Sequence, residues 1–202
     1  MKKDLFLITS LTLFFAGCTT ARLPQGPDVF SLTKFPESEA TVAVPKVVDA
    51  RGTKNVGMIG AAGIQVRSDI APFATNHLIR AVNSQMKLNV VRTEAITKNN
   101  AANILKSNNA TNALVVSITS LKMHSIDAIM QPVEVDVTMG VTILNGQGQA
   151  VLEKTIAGHY EKRIGLSVVD KTTGELVDKV IQDAMFNLVK DEEIKKGLNL
   201  RV

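Results

Sequence analysis

The sequence predicts an α+β domain, a mainly antiparallel sheet with helices packed on one face in the order β-α-β-α-β-β-β-α, and three stretches carry that prediction. Val133, Val135, Val137, Met139, Val141 and Ile143 alternate with Glu134, Asp136, Thr138 and Thr142, so one face of a strand is buried and the other is wet. Asn145-Gly146-Gln147-Gly148 follows, and because a tight turn needs positive φ, which Asn and Gly adopt cheaply, this segment predicts a hairpin. From Gly174 to Val189 apolar residues fall at 177, 180, 181, 184, 185 and 188, one stripe of a helix that must dock on the sheet.

The other elements follow in chain order. Val42, Val44 and Val47 predict a first strand over Thr41 to Asp49, which Pro45 demotes to an edge or bulged position because it cannot donate to a ladder. Gly57, Gly60 and Gly63 then predict a flexible loop reaching to about residue 67; there is no GKS or GKT after them, and their spacing is not that of a dinucleotide loop. Ser68 and Asp69 are N-cap residues for a helix to about Met86, with Ile70, Ala74, Leu78, Ala81, Val82 and Met86 on one face. A short strand over Leu88 to Arg92, a helix over 98 to 107 stopped by Asn108-Asn109, a long strand over Ala113 to Ile126 and a turn near Gln131-Pro132 come next. The return strand of the hairpin runs from Ala150 to Lys162.

The N-terminus is of another kind. Lys2 and Lys3 precede an apolar stretch, Leu5 to Phe15, that is too short to span a bilayer, where about 20 apolar residues are needed. Ala16-Gly17-Cys18 then places small residues before the single cysteine of the chain, the arrangement of a bacterial lipobox with cleavage between Gly17 and Cys18. The Cys18 thiol takes a diacylglyceryl group, because a thiolate is the best nucleophile available there, and an acyl group such as palmitate then caps the new amine. Two or three chains anchor stably where one is marginal, each buried CH2 contributing about 0.8 kcal/mol. Thr19 stands where known sorting rules put Asp for inner-membrane retention, so an outer-membrane anchor facing the periplasm is expected. Residues 1–17 are therefore a signal peptide. Residues 18–39, with Pro24, Gly26, Pro27 and Pro36, form a lipidated flexible tether, and 40–202 make one periplasmic domain.

Composition narrows function mainly by exclusion. A net charge of +4 with scattered Lys and Arg does not make a nucleic-acid footprint, and no Trp with one Tyr leaves little aromatic surface for stacking bases or sugars. With no second cysteine there is no disulfide, and stability must come from burial. His77, His124 and His159 are isolated in sequence, without HExxH or a partner at i+4, so each is read as structural or surface, and Glu134 with Asp136 as solvated carboxylates. No catalytic residue, metal site or cofactor is expected, and the chain is not read as an enzyme.

Several loose motifs, in order, resemble the YajG family of bacterial outer-membrane lipoproteins: Asp49-x-Arg51 after the first strand, Ile59-Gly60, the helix-strand pair, the alternating hairpin, His159-Tyr160 in the return strand and the final helix leading to Asp191. Lys87-Leu88 stands where that family often has a glycine before the short strand. The resemblance implies an envelope location and a small binding module without assigned catalytic residues. The expected function is that of a membrane-anchored accessory lipoprotein, its membrane contact made by the lipid on Cys18, whose sheet edge or loop 50–67 docks another envelope protein. Asp49, Arg51, Gly52, Gly57 and Gly60 are the candidate partner-binding residues. The alternative is a periplasmic carrier of lipid or another apolar ligand, suggested by the Val- and Met-rich face under the final helix.

Overall fold

A computed structural model describes residues 19–20, 23–27, 29, 32–35, 40–59, 62–66, 70–125, 132–163 and 169–199. In chain order the strands are β1 (Thr19–Thr20), β2 (Thr41–Pro45), β3 (Val48–Asp49), β4 (Asn55–Ile59), β5 (Ala62–Gln65), β6 (Asn89–Thr93), β7 (Asn112–Ser125), β8 (Val133–Leu144) and β9 (Ala150–Lys162). The helices are α1 (Ile70–Met86), α2 (Ala101–Ser107), α3 (Val169–Lys190) and α4 (Glu192–Gly197). Cys18, the Ser68-Asp69 cap and the turn near Gln131 lie outside the described residues.

β7 is the spine of the sheet. One side of it carries the antiparallel ladder β7-β8-β9 that the alternation and the Asn-Gly turn predict, with Asn145 N donating to Gln149 O at 2.9 Å across the turn. Along its other side β2, β3 and β4 follow one another, all parallel to it, with β6 outside β2 and β5 outside β4. The class is α+β as expected, but the sheet is mixed.

The segment expected as one strand over Thr41 to Asp49 makes two, β2 and β3, divided after Pro45. β2 is not an edge: it pairs β6 and β7, its residues 42 to 44 are fully buried, and Pro45 ends it instead of demoting it. Residues read as a flexible loop form the β4–β5 hairpin, with Met58 opposite Gly63. Gly57 sits there at φ 144°, where a Cβ would fall 1.7 Å from the Met123 carbonyl oxygen, so the glycine serves close approach of two strands and not mobility.

α1 and α3 lie side by side on one face. Leu176, Val177, Val180, Ile181, Ala184, Met185 and Leu188 of α3, all at most 2% exposed, meet Val135, Val137, Met139 and Val141 of β8 in one core. At Gly158 that approach is tight enough that a Cβ would lie 2.6 Å from Val180 O. α2 departs from the expected one-sided packing. Ala43, Ala113 and Leu144 point to the opposite face and are covered by Ile96, Ala101 and Leu105, because alternation sends every second strand residue there and these are apolar.

α1 ends at Lys87, whose φ of 54° is left-handed, an exposed position that costs a non-glycine residue about 1–2 kcal/mol. Lys87→Gly should therefore stabilise the protein by about 0.5–1 kcal/mol, read as a higher midpoint in urea; an unchanged or lower midpoint would contradict the strain.

Candidate functional site

Asp49 ends β3 and Arg51 follows two residues later, a spacing that keeps both side chains on one side of an extended chain. Arg51 Nε and Nη2 donate to Asp49 Oδ1 and Oδ2 at 2.7 and 2.8 Å, and Nη2 also reaches Val66 O at 3.2 Å. The guanidinium is almost completely buried, its side chain 4% exposed, against 20% for Asp49. That bond, foremost, holds the Asp49 carboxyl below its ordinary value against the opposing effect of burial, with the charges of Arg51 and Lys54 acting in the same direction. Arg51 Nη1 is buried and has no hydrogen-bond partner among the described residues.

Beside this pair β7 is left bare on one side. β3 pairs it up to Ile118, where Ala50 N donates to Ile118 O at 2.9 Å, and β4 pairs it again from Met123. Thr119 to Lys122 lie between those pairings, with β8 on one side and, among the described residues, no strand on the other. A cleft of about 430 Å³ opens at this gap, lined by Arg51, Gly52, Thr53, Asn55, Val56 and Gly57 on one wall and Thr119 to Lys122 on the other. Its floor is apolar, from Val56 and Leu121, and its rim is polar, from Gly52, Thr53, Asn55, Thr119 and Lys122, all exposed.

Of the residues singled out in the sequence, the fold brings Asp49, Arg51, Gly52 and Gly57 together here; Gly60 lies outside the described residues, as do Gly17 and Cys18. Sequence reading missed Thr119, Ser120 and Lys122. Thr119-Ser120 puts two polar residues in succession between Ile118 and Leu121, and the ladder to β8 shifts register there, a bulge.

Other candidates resolve differently. β9 pairs only with β8 and so forms one edge of the sheet, but α3 closes part of it: Asp183 Oδ2 accepts from His159 N at 3.0 Å and Asn187 Nδ2 donates to Ala157 O at 2.9 Å. His124 and His159 each pair with one of the wet-face carboxylates, Glu134 at 3.0 Å and Asp136 at 2.8 Å, and the Asp136 bond raises the His159 pKa above the usual histidine value. His77 rests on Phe73, ring centroids 4.6 Å apart, and its Nε2 is 3.1 Å from Asp178 Oδ1 across the α1–α3 seam. Among the described residues no three His, Cys, Asp or Glu side chains are grouped to hold a metal ion. The apolar sheet face that suggested a carrier is filled by side chains of α3.

No family model matches the chain, and no curated protein matches it in sequence. Its fold does recur among solved structures. Protein XCC0632 from Xanthomonas campestris, of family DUF330, is similar with a TM-score of 0.50 and 13% identity, over 90% of this chain and 94% of that one. The PelC dodecamer from Paraburkholderia phytofirmans gives 0.49 at 14% identity, over 85% and 95%. Lipoprotein GNA1162 from Neisseria meningitidis gives 0.44 at 6% identity, over 75% and 99%. At such identities the first likeness shows the fold alone, and the other two, under 0.5, add nothing to it. None of these comparisons shows the YajG family.

Proposed function

We propose that the chain is a lipid-anchored accessory protein of the bacterial envelope, held by acylated Cys18 at the periplasmic side of the outer membrane, and that the cleft between β4 and β7 docks a segment of another envelope protein. The lipobox supports the anchor. The observation that carries the docking is the coincidence of the stretch Thr119 to Lys122, which no strand pairs on one side among the described residues, with a cleft of polar rim and apolar floor.

The chemistry favours a polypeptide. Asp49 and Arg51 neutralise each other, so the cleft offers main-chain groups and hydroxyls over an apolar floor, which suits an extended segment laid along β7. Four residues of strand span about 13 Å, room for a short peptide stretch. His124 with Glu134 and His159 with Asp136 pair on the wet sheet face and His77 with Asp178 across the α1–α3 seam, none of them a nucleophile with its base, and the module acts by binding.

Deleting the whole of 52–66 would remove β4 and β5, so the test must spare them. A photo-crosslinking residue at Thr53 should capture one envelope protein in cells, and Thr119→Trp, which fills the cleft from an exposed position at a cost of under about 1 kcal/mol, should cut that adduct at least tenfold while circular dichroism stays unchanged. An adduct that persists at full yield in Thr119→Trp would end the docking assignment.

A further inference from the structure

The segment between the anchor and the domain does not hang free in its described parts. Thr19 and Thr20 pair in parallel with Ile64 and Gln65 as strand β1, and Leu23, Val29 and Leu32 pack on the main core. Further on, two asparagine amides stand in for a strand. Asn83 accepts from Thr33 N at 3.0 Å and donates to Thr33 O at 2.8 Å, and Asn89 does the same for Phe35 at 3.0 Å each way. Asn83 also donates to Leu88 O at 3.0 Å, so a buried side chain with both its donors and its oxygen engaged clamps the segment to α1.

β1 therefore begins at the residue after Cys18, about 3.8 Å away along the chain. Acyl chains on Cys18 sit in the hydrocarbon and leave the glyceryl group at headgroup depth. No slack remains between that depth and the sheet.

We infer that this short connection seats one end of the sheet on the headgroup layer of the anchoring membrane. Strand directions identify the end. β1 is parallel to β5, so its beginning lies toward the β4–β5 turn; β4 ends there beside the end of β7, where β8 begins and β9 finishes. Lys162 and Arg163, both exposed, stand at that end and suit the anionic headgroups of a bacterial membrane. The Asn145–Gln149 turn is at the other end of β9, about 40 Å along the strand. The cleft between β4 and β7 then opens low on the molecule, within reach of a partner that is itself at the membrane.

The inference rests on acylation of Cys18, and the test separates the two. The lipidated full chain is reconstituted in vesicles of phosphatidylethanolamine and phosphatidylglycerol carrying a headgroup nitroxide, with a fluorophore on Lys162→Cys or, separately, on Gln147→Cys; acylation leaves the new cysteine as the one free thiol. Quenching several-fold stronger at 162 than at 147 is expected, and a ten-residue Gly-Ser insertion after Cys18 should bring it down to the level at 147. Protein that fails to float with the vesicles overturns the anchor and the seating together. Floating protein quenched equally at both positions overturns the seating alone, and strong quenching at 162 that survives the insertion overturns the short connection as its cause.

Discussion

Gly57→Ala should destabilise the protein by about 4 kcal/mol or more, a size reserved for a few mechanisms, of which forced backbone movement is one. The added carbon would lie 1.7 Å from Met123 O and 2.8 Å from Met123 C, main-chain atoms with no rotamer to escape into, and φ of 144° is itself rare for an L-residue. The strand must therefore leave β7. Because β4 holds only the end of β7, local detachment of the β4–β5 hairpin is the cheaper response, and amide exchange at Met123 to Ser125 should accelerate before that of β8. Gly52, one wall of the same cleft, has nothing within 4 Å of its Cβ position, and Gly52→Ala should change stability by less than about 0.5 kcal/mol. Urea unfolding of the two variants checks both; equal, small losses would mean that the approach of β4 to β7 is looser than described.

Arg51→Ala should cost about 3 kcal/mol at neutral pH, because it leaves the largely buried Asp49 carboxylate without its partner. The pH dependence follows from the direction of the Asp49 shift. Its folded pKa lies below the ordinary aspartate value, so the folded state holds fewer protons than the unfolded one as pH falls through the acid range. Stability from the pair is then fully present above about pH 4 and is lost as pH drops through the folded value. The gap between Arg51→Ala and the unaltered protein should accordingly narrow from pH 7 to pH 3, and a constant gap would mean that the loss comes from packing of the guanidinium stem and not from the ion pair.

Local chemistry was legible in the sequence and long-range pairing was not. β9 falls on Ala150–Lys162 as predicted, and every residue of the predicted α3 stripe is buried, because alternation and helical spacing record which face meets the core. The β4–β5 hairpin is hidden in the sequence because Gly57 and Gly63 remove the side chains that would have shown alternation, and Gly57, which looks mobile in sequence, is what lets β4 approach β7. Parallel placement of β2, β3 and β4 against β7 depends on partners 60 to 70 residues away, which no local pattern encodes. Asp49-x-Arg51 was visible as a pair, but its cleft was not, since the far wall comes from β7. Asn83 and Asn89, ordinary polar residues in sequence, turn out to clamp the segment expected to be a tether.

The proposed membrane anchor depends on one sulfur atom, that of Cys18, and mass spectrometry of the mature protein tests it most directly. Protein extracted from membranes should lack residues 1–17 and carry a diacylglyceryl group and an amide-linked acyl chain on Cys18, and Cys18→Ser should lose both the processing and the membrane fraction. A Cys18→Ser product that remains with membranes at the mass of the unaltered mature protein would contradict the account.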